Sequence, residues 1–267
     1  MRFDVITLFP DLFREFLAAG IVGRAVEKRI VEVMLHDLRS HGDGAYRKVD
    51  DTPYGGGGGM VLLAGPLSRC LDGAQAAVSG RGRVVLMSPQ GRPLDQATCR
   101  RLAREPRLLL VCGRYEGIDE RFVETRVDEE VSIGDYVLSG GELPAMVLME
   151  ALARLLPGAL GDATAADRDS FSGRLLDHPH YTRPEVFEGR GVPGVLLSGD
   201  HAAVERWRAE EARRITRRKR PDLLATEAGG DPGAERDQQA GPSSDRTRDD
   251  AMAKRADRPD AAQRGRS

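Results

Sequence analysis

Three short strand-like segments, two of them continuous apolar runs, each lead into a loop that carries glycine and set the pattern of the first half of the chain. RVVLM (Arg83–Met87) runs into SPQG and LLLVC (Leu108–Cys112) into GRYEGIDER, while a short strand in DEEVSIGDYVLS (Asp128–Ser139) passes through two glycines into an almost wholly apolar helix. Unbroken runs this short predict strands buried on both faces, as in a parallel sheet covered by helices. Ligands of such sheets lie beyond the carboxyl ends of the strands. In the helix, Met146, Val147, Leu148, Met149, Leu152, Leu155 and Leu156 leave little polar face, so burial on most sides is expected. Ser139 is placed to cap it, with Glu142 three residues on answering the cap, and Pro144 falls in the first turn, where a missing N–H costs little. Gly140 and Gly141 remove side chains where a ligand could approach the backbone. Arg154 is the polar exception near the helix end.

The periodicity fades after Leu156. PGALGDATAADRDSFSGRLLD, up to Asp177, is long for a structureless connection inside a compact domain and reads as a linker or a moving lid. A helix is predicted between a cap at Asp200 and a stop at Pro221, with Val204, Trp207 and Ile215 facing inward. It carries Arg206, Arg208, Arg213, Arg214, Arg217, Arg218, Lys219 and Arg220 against Glu210 and Glu211, which suits either a phosphate-binding face or a solvated face with a basic carboxyl end. Residues 228–267 contain no Val, Ile, Leu or aromatic residue and read as a disordered tail, since they cannot bury enough apolar surface to offset the entropy of ordering. The predicted organisation is an α/β domain over residues 1–160, a linker or lid over 161–176, a small helical domain over 177–227 and the tail.

Composition changes this picture little. The 267 residues, 40% hydrophobic, allow a real core, and no segment is apolar over the ~20 residues that a membrane span needs. Asp4 and Pro10 interrupt the amino terminus where a secretory signal would be apolar, and Cys70, Cys99 and Cys112 lack paired spacing. Both point to reduced thiols and a cytoplasmic location. The net charge of −2 hides the local basic stretch. His178 and His180 alternate as H-x-H but have no third ligand beside them in that reading, so they are taken as structural and no metal site is expected. Gly55–Gly59 are not a phosphate loop, because Met60 and Val61 stand where Lys and Ser or Thr are required.

GRYEGIDER (Gly113–Arg121), SIGDYVLSGGELP (Ser132–Pro144) and DHPHYTRPEVFEG (Asp177–Gly189), together with MRFDVITLFPDLF at the start, VDDTPYGGGGGMV (Val49–Val61) and RRKRPDLL (Arg217–Leu224), resemble the bacterial tRNA (guanine-N1)-methyltransferases of the SPOUT class. The likeness covers nearly the whole chain except the tail; it departs from the family pattern at Gly58 and Arg174. It implies a SPOUT-type parallel sheet tied into a trefoil knot, which periodicity does not predict, and a homodimer that completes the site. It also implies S-adenosylmethionine as cofactor, held by Pro89, Gly113, Tyr115, Ser132, Ile133, Gly134, Asp135, Tyr136, Val137, Leu138, Gly140 and Gly141. The substrate implied is the anticodon stem-loop of tRNA, methylated at N1 of the guanine just 3′ of the anticodon (position 37). Arg114, Glu116, Asp177, His180 and Arg183 are expected on that side. Participation of Mg²⁺ is left open.

Methylation at guanine N1 requires a base for the N1 proton and a cation for the charge that moves onto O6. The resemblance assigns these to Asp169, in RDSF, and Arg154. Read from the residues alone, Arg154 is equally suited to an i,i+4 pair with Glu150. Two other classes remain open: a SPOUT-type RNA methyltransferase with a ribose or different base as target, and a non-catalytic RNA-binding protein or Rossmann-type enzyme. No G-x-G-x-x-G follows a predicted strand, which counts against the last.

Overall fold

The computed structural model describes residues 1–162 and 165–225. The tail read as disordered, 228–267, lies outside the described residues. Nine strands follow in chain order: β1 (Arg2–Thr7), β2 (Glu32–Asp37), β3 (Asp50–Asp51), β4 (Val61–Leu62), β5 (Arg83–Pro93), β6 (Arg107–Cys112), β7 (Glu129–Ser132), β8 (Val186–Phe187) and β9 (Arg190–Gly191). The helices are α1 (Arg14–Ala18), α2 (Gly20–Glu27), α3 (Ala64–Ala76), α4 (Gln96–Leu102), α5 (Glu120–Arg126), α6 (Glu142–Ala153), α7 (Ala165–Arg168), α8 (His201–Lys219) and α9 (Asp222–Ala225).

The main sheet has the order β2-β1-β6-β5-β7, with every pair parallel. Alternate side chains of its strands enter two separate cores, as a sheet covered on both faces requires. Phe3, Val5, Val85, Met87, Leu108, Leu110 and Cys112 pack on one face with residues of α2, α4 and α6. Ile6, Val84, Leu86, Leu109 and Val111 pack on the other with α3 and Phe122 of α5. The predicted strands at 83, 108 and 128 are therefore present, and the strand of the first residues, β1, lies between two of its fellows.

Asp4 in β1 is fully buried yet satisfied. Its carboxylate accepts from Arg2, from Arg107 Nε at 2.8 Å and pairs with His36 Nε2 at 2.8 Å. Burial pushes this carboxyl up, but the three hydrogen bonds outweigh it and hold the group well below the usual carboxylate range. Arg107, itself buried, also donates to the carbonyl of Ala74, so a polar knot ties the amino-terminal strand to β6 and α3.

Two local expectations change. β5 does not end at Met87; after a register shift between Met87 and Arg92 it pairs with β7 again, Arg92 opposite Val131 and Pro93 opposite Ser132. Gly91 permits this, because a Cβ there would lie 2.4 Å from Val131 N. SPQG is thus a bulge within a strand. Helix α6 is not capped by Ser139 either: it starts after Gly141 with no side-chain cap, and Glu142 turns inward. Leu143 and Val147, 59% and 47% exposed, leave an apolar stripe on one side of a helix expected to be buried on most sides.

The segment read as structureless contains α7, anchored by Arg100–Asp167 at 3.4 Å and by Ser172 Oγ donating to Ala166 O at 2.5 Å. Helix α8 begins as predicted, with Asp200 accepting from Ala203 N at 3.0 Å. Val204, Trp207 and Ile215 are only half-buried. The single buried residue of α8 is Thr216, whose hydroxyl accepts from Leu176 N at 2.9 Å.

Candidate functional site

A cavity of about 460 Å³ opens at the carboxyl ends of β6 and β7 and at the bulge within β5, where the three predicted loops meet. Backbone contacts hold them together: Gly141 N donates to Gly113 O at 2.9 Å, and Arg114 bridges Gly140. A Cβ on Gly141 would stand 2.8 Å from Cys112 Cα, so a side chain at this crossing would force the strand end and helix start apart. Gly134 adopts φ +146°, a backbone region that side chains resist. Ser132 Oγ donates to Gly134 O at 3.1 Å, and Tyr136 Oη donates to Ile133 O at 3.3 Å, which fixes the loop after β7.

Pro89, Gly113, Tyr115, Ser132, Ile133, Gly134, Tyr136, Val137, Leu138, Gly140 and Gly141 all line this cavity, as do Arg114 and Glu116. Asp135 does not; it sits exposed in the same loop, away from the wall. The wall also contains residues that sequence reasoning missed, among them Gln90, Ile118 and Glu130. All three lie in segments already recognised, Gln90 in SPQG, Ile118 in GRYEGIDER and Glu130 in DEEVS, but none was singled out as a site residue.

Arg114 is held from two sides. Its Nε donates to Glu142 Oε2 at 3.0 Å, and its guanidinium lies 4.5 Å from the centre of the Phe9 ring. Glu142, 1% exposed, also accepts from Thr7 Oγ1 at 2.8 Å. The residue expected to complete a helix cap instead fixes a cation at the cavity wall, because β1 delivers Thr7 beside it. Opposite, Gly59 abuts Glu116: a Cβ would fall 2.3 Å from Glu116 Oε1, and Glu116 N donates to Met60 O at 2.9 Å. The end of the glycine run therefore packs against one of the cavity's acidic residues, with Gly55, Gly56, Gly57 and Gly59 all at positive φ.

The three thiols take no part in acid–base chemistry. Burial pushes Cys70 up to about 12 and Cys99 up to about 11, and burial with the Glu142 charge raises Cys112 well above its ordinary value.

Asp169 and Arg154 come together but not at this cavity. Arg154 Nη2 donates to Asp169 Oδ2 at 2.5 Å, both side chains partly exposed, and neither residue is on the cavity wall. Arg154 follows the last turn of α6, whose first turn borders the cavity; twelve residues at about 1.5 Å each put roughly 18 Å between the two ends. Glu150, the neighbour weighed for Arg154, contributes only its backbone carbonyl. Asp177 and His180 form a separate cluster with His178, and Arg183 is exposed beyond it.

A parallel sheet with a ligand-sized cavity built from three loops at its carboxyl ends defines a small-molecule-binding α/β protein. The sequence matches the family described as tRNA (Guanine-1)-methyltransferase TrmD over residues 1–226, and the chain belongs to that family. It is 55% identical over 227 residues to the tRNA (guanine-N(1)-)-methyltransferase of Aromatoleum aromaticum, covering 84% of this chain and 86% of that protein. It is 56% identical over 225 residues to the Methylococcus capsulatus protein of the same name, with 84% and 90% covered. The Stutzerimonas stutzeri protein, again so named, is 54% identical over 224 residues, with the same shares.

Proposed function

We propose that this chain is a tRNA (guanine-N1)-methyltransferase that methylates the guanine just 3′ of the anticodon and works in the cytoplasm as a homodimer. The observation that carries the reading is the three-loop cavity, in a chain more than half identical to three relatives that bear that name. S-adenosylmethionine fits the cavity on its volume, within the range of small-molecule sites, and on its bare glycine backbone beside the apolar side chains of Ile133, Val137 and Leu138. Bound there, it supplies a methyl group already activated by its sulfonium.

The residues of the chain then have two tasks, placement and proton removal. Arg114, held by Glu142 and Phe9, presents a fixed cation at the wall, and Glu116 a carboxylate, for contact with the target nucleotide. Asp169 takes the N1 proton of guanine, leaving the nitrogen lone pair free for the methyl. Arg154 neutralises the negative charge that shifts to O6. In the resting chain Arg154 is committed to Asp169, so substrate entry exchanges one oxygen partner for another.

The distance along α6 supports the dimer. A chain cannot bring its own Arg154–Asp169 pair to its own cavity without breaking that helix, but the pair of one copy can serve the cavity of another. Leu143 and Val147 offer the second copy an apolar stripe on the same helix. The knot implied by the resemblance belongs to the same proposal; Gly91 and Gly141 allow the backbones of the loop region to cross closely. The arginines of α8 that make no ion pair among the described residues suit the tRNA backbone.

The test is methyl transfer from labelled S-adenosylmethionine to transcripts carrying guanine or adenine at that position. Transfer to the guanine transcript alone is expected. Equal transfer to both, or to neither, overturns the reading.

A further inference from the structure

The motif DHPHYTRP folds so that three ligand-type groups face one another. Asp177, His178 and His180 place a carboxylate oxygen and two ring nitrogens all within 4.8 Å of each other. His180 Nε2 is 2.9 Å from Asp177 Oδ2, and His178 Nε2 is 3.7 Å from Asp177 Oδ1. We propose that these three side chains bind one divalent transition-metal ion of the zinc type, at a site distinct from the three-loop cavity.

Three features carry this. Metal–nitrogen and metal–oxygen bonds of about 2.0–2.2 Å at tetrahedral angles separate the ligand atoms by about 3.4 Å, and the two spacings to Asp177 bracket that value, so small side-chain rotations admit the ion. The tautomer of His178 is already set: its Nδ1 lies 3.2 Å from the carbonyl of Pro179, which can only accept. Nδ1 therefore carries the proton and the Nε2 lone pair faces Asp177. This is the outer contact that orients histidine ligands in metal sites. Finally, neighbouring groups position the cluster: the ring centres of His178 and Trp207 lie 6.4 Å apart, and Asp177 N donates to Ser170 Oγ at 2.9 Å.

Two imidazoles and one carboxylate leave open positions for water or another ligand, the arrangement of a borderline transition ion and not of Mg²⁺, which prefers oxygen alone. The site is also linked to the chemistry proposed above. Ser170, which holds the Asp177 backbone, follows Asp169 directly. An ion here occupies groups expected to face RNA and stiffens the segment that carries Asp169, so zinc should antagonise tRNA use. That consequence rests on the proposed function; the binding does not.

The test is calorimetric titration of the full, untagged chain with ZnCl₂ in the absence of S-adenosylmethionine and tRNA, with Co²⁺ as an optical reporter. Residues 226–267 contain no His or Cys, and the buried thiols compete poorly. Saturable uptake of one ion per chain is expected, with visible Co²⁺ bands, and MgCl₂ should leave the titration unchanged. His178→Ala and His180→Ala should each weaken binding by about tenfold or more. His180 is exposed, so its variant keeps the test valid if His178→Ala misfolds by circular dichroism. No saturable uptake up to about 1 mM, or unchanged uptake in His180→Ala, overturns the proposal. Zinc binding without inhibition of methyl transfer would sink the antagonism alone, and absence of methyl transfer with zinc binding intact would fault the proposed function instead.

Discussion

Arg154 Nη2 and Asp169 Oδ2 stand 2.5 Å apart at the carboxyl end of α6, while Gly141, just before the amino end of the same helix, lines the cavity. The residues proposed as base and cation are thus paired at one end of α6, and the cavity is bordered by the other end. A site shared between two copies, as proposed, is sensitive to which copy carries which defect.

Mixing two inactive chains tests that division. Asp169→Ala should abolish turnover while S-adenosylmethionine still binds by calorimetry. Gly134→Val, which forces a side chain onto a φ of +146°, should lose binding. Co-refolded, they should recover about one quarter of the normal rate, since half of random pairs are mixed and each mixed pair keeps one of two sites. No recovery in pairs shown to be mixed by mass spectrometry would place base and cavity in the same chain.

Gly141→Ala should damage both stability and binding. The added Cβ meets backbone, Cys112 Cα at 2.8 Å, so the cost is an overpacking penalty of about 1–3 kcal/mol, read from denaturant unfolding. An unaffected midpoint with normal cofactor affinity would show that the loops can separate freely.

Glu142 and Arg114 should be coupled. Removing the arginine by Arg114→Ala leaves a buried carboxylate with only Thr7 as a side-chain partner among the described residues, at a cost of about 1–3 kcal/mol. Glu142→Gln in the same chain should restore part of that loss, because the uncompensated charge disappears. Strictly additive losses would mean the pair is energetically independent.

The buried knot around Asp4 sets the acid limit of the fold. Its folded proton affinity lies below the unfolded one, near pH 3.9, so its contribution is complete above that pH and is lost as pH falls through the folded value. Asp4→Asn should flatten the loss of stability below pH 4, followed by circular dichroism in urea. Arg107→Ala, which strands the buried carboxylate, should cost about 3–5 kcal/mol at pH 7. An unchanged acid limb in the asparagine variant would assign it to other groups.

On α8, Arg208 and Arg214 are tied to Glu205 and Glu211, whereas Arg206, Arg213, Arg217 and Arg218 make no ion pair among the described residues. Arg217→Ala with Arg218→Ala should reduce the salt slope of tRNA affinity by about one for each phosphate left without its arginine. A slope identical to that of the parent chain would remove this helix face from the interface.

What the sequence made legible followed from local chemistry. Short apolar runs announced β6 and the first half of β5, the glycine turn before an apolar helix announced β7, and Asp200 and Pro221 bracketed α8, because burial and capping act over a few residues. The cavity loops were marked by their glycines. What stayed hidden depended on residues far apart in the chain. Thr7 meets Glu142 across 135 positions, which turned an apparent cap into the anchor of Arg114. The return of β5 past Gly91 needed β7 beside it. The separation of Arg154 from the cavity could not be read until the extent of α6 was known, whereas Asp177, His178 and His180 are near neighbours whose side chains were not grouped because residue pattern alone does not mark the turn that aims them together. Asp4, a charge in the middle of a strand, masked β1 from any reading by apolar pattern.

The seam beneath α8 has its own consequence. A helix that leans on its neighbours through half-sunk Val204, Trp207 and Ile215, and is pinned mainly where Leu176 N meets Thr216 Oγ1, detaches at far lower free energy than the doubly covered sheet can melt. The molecule thus has a loose handle on a hard frame: amide protons of α8 should exchange with solvent long before those of β1 and β6, and an incoming polynucleotide can swing that handle without disturbing the strands.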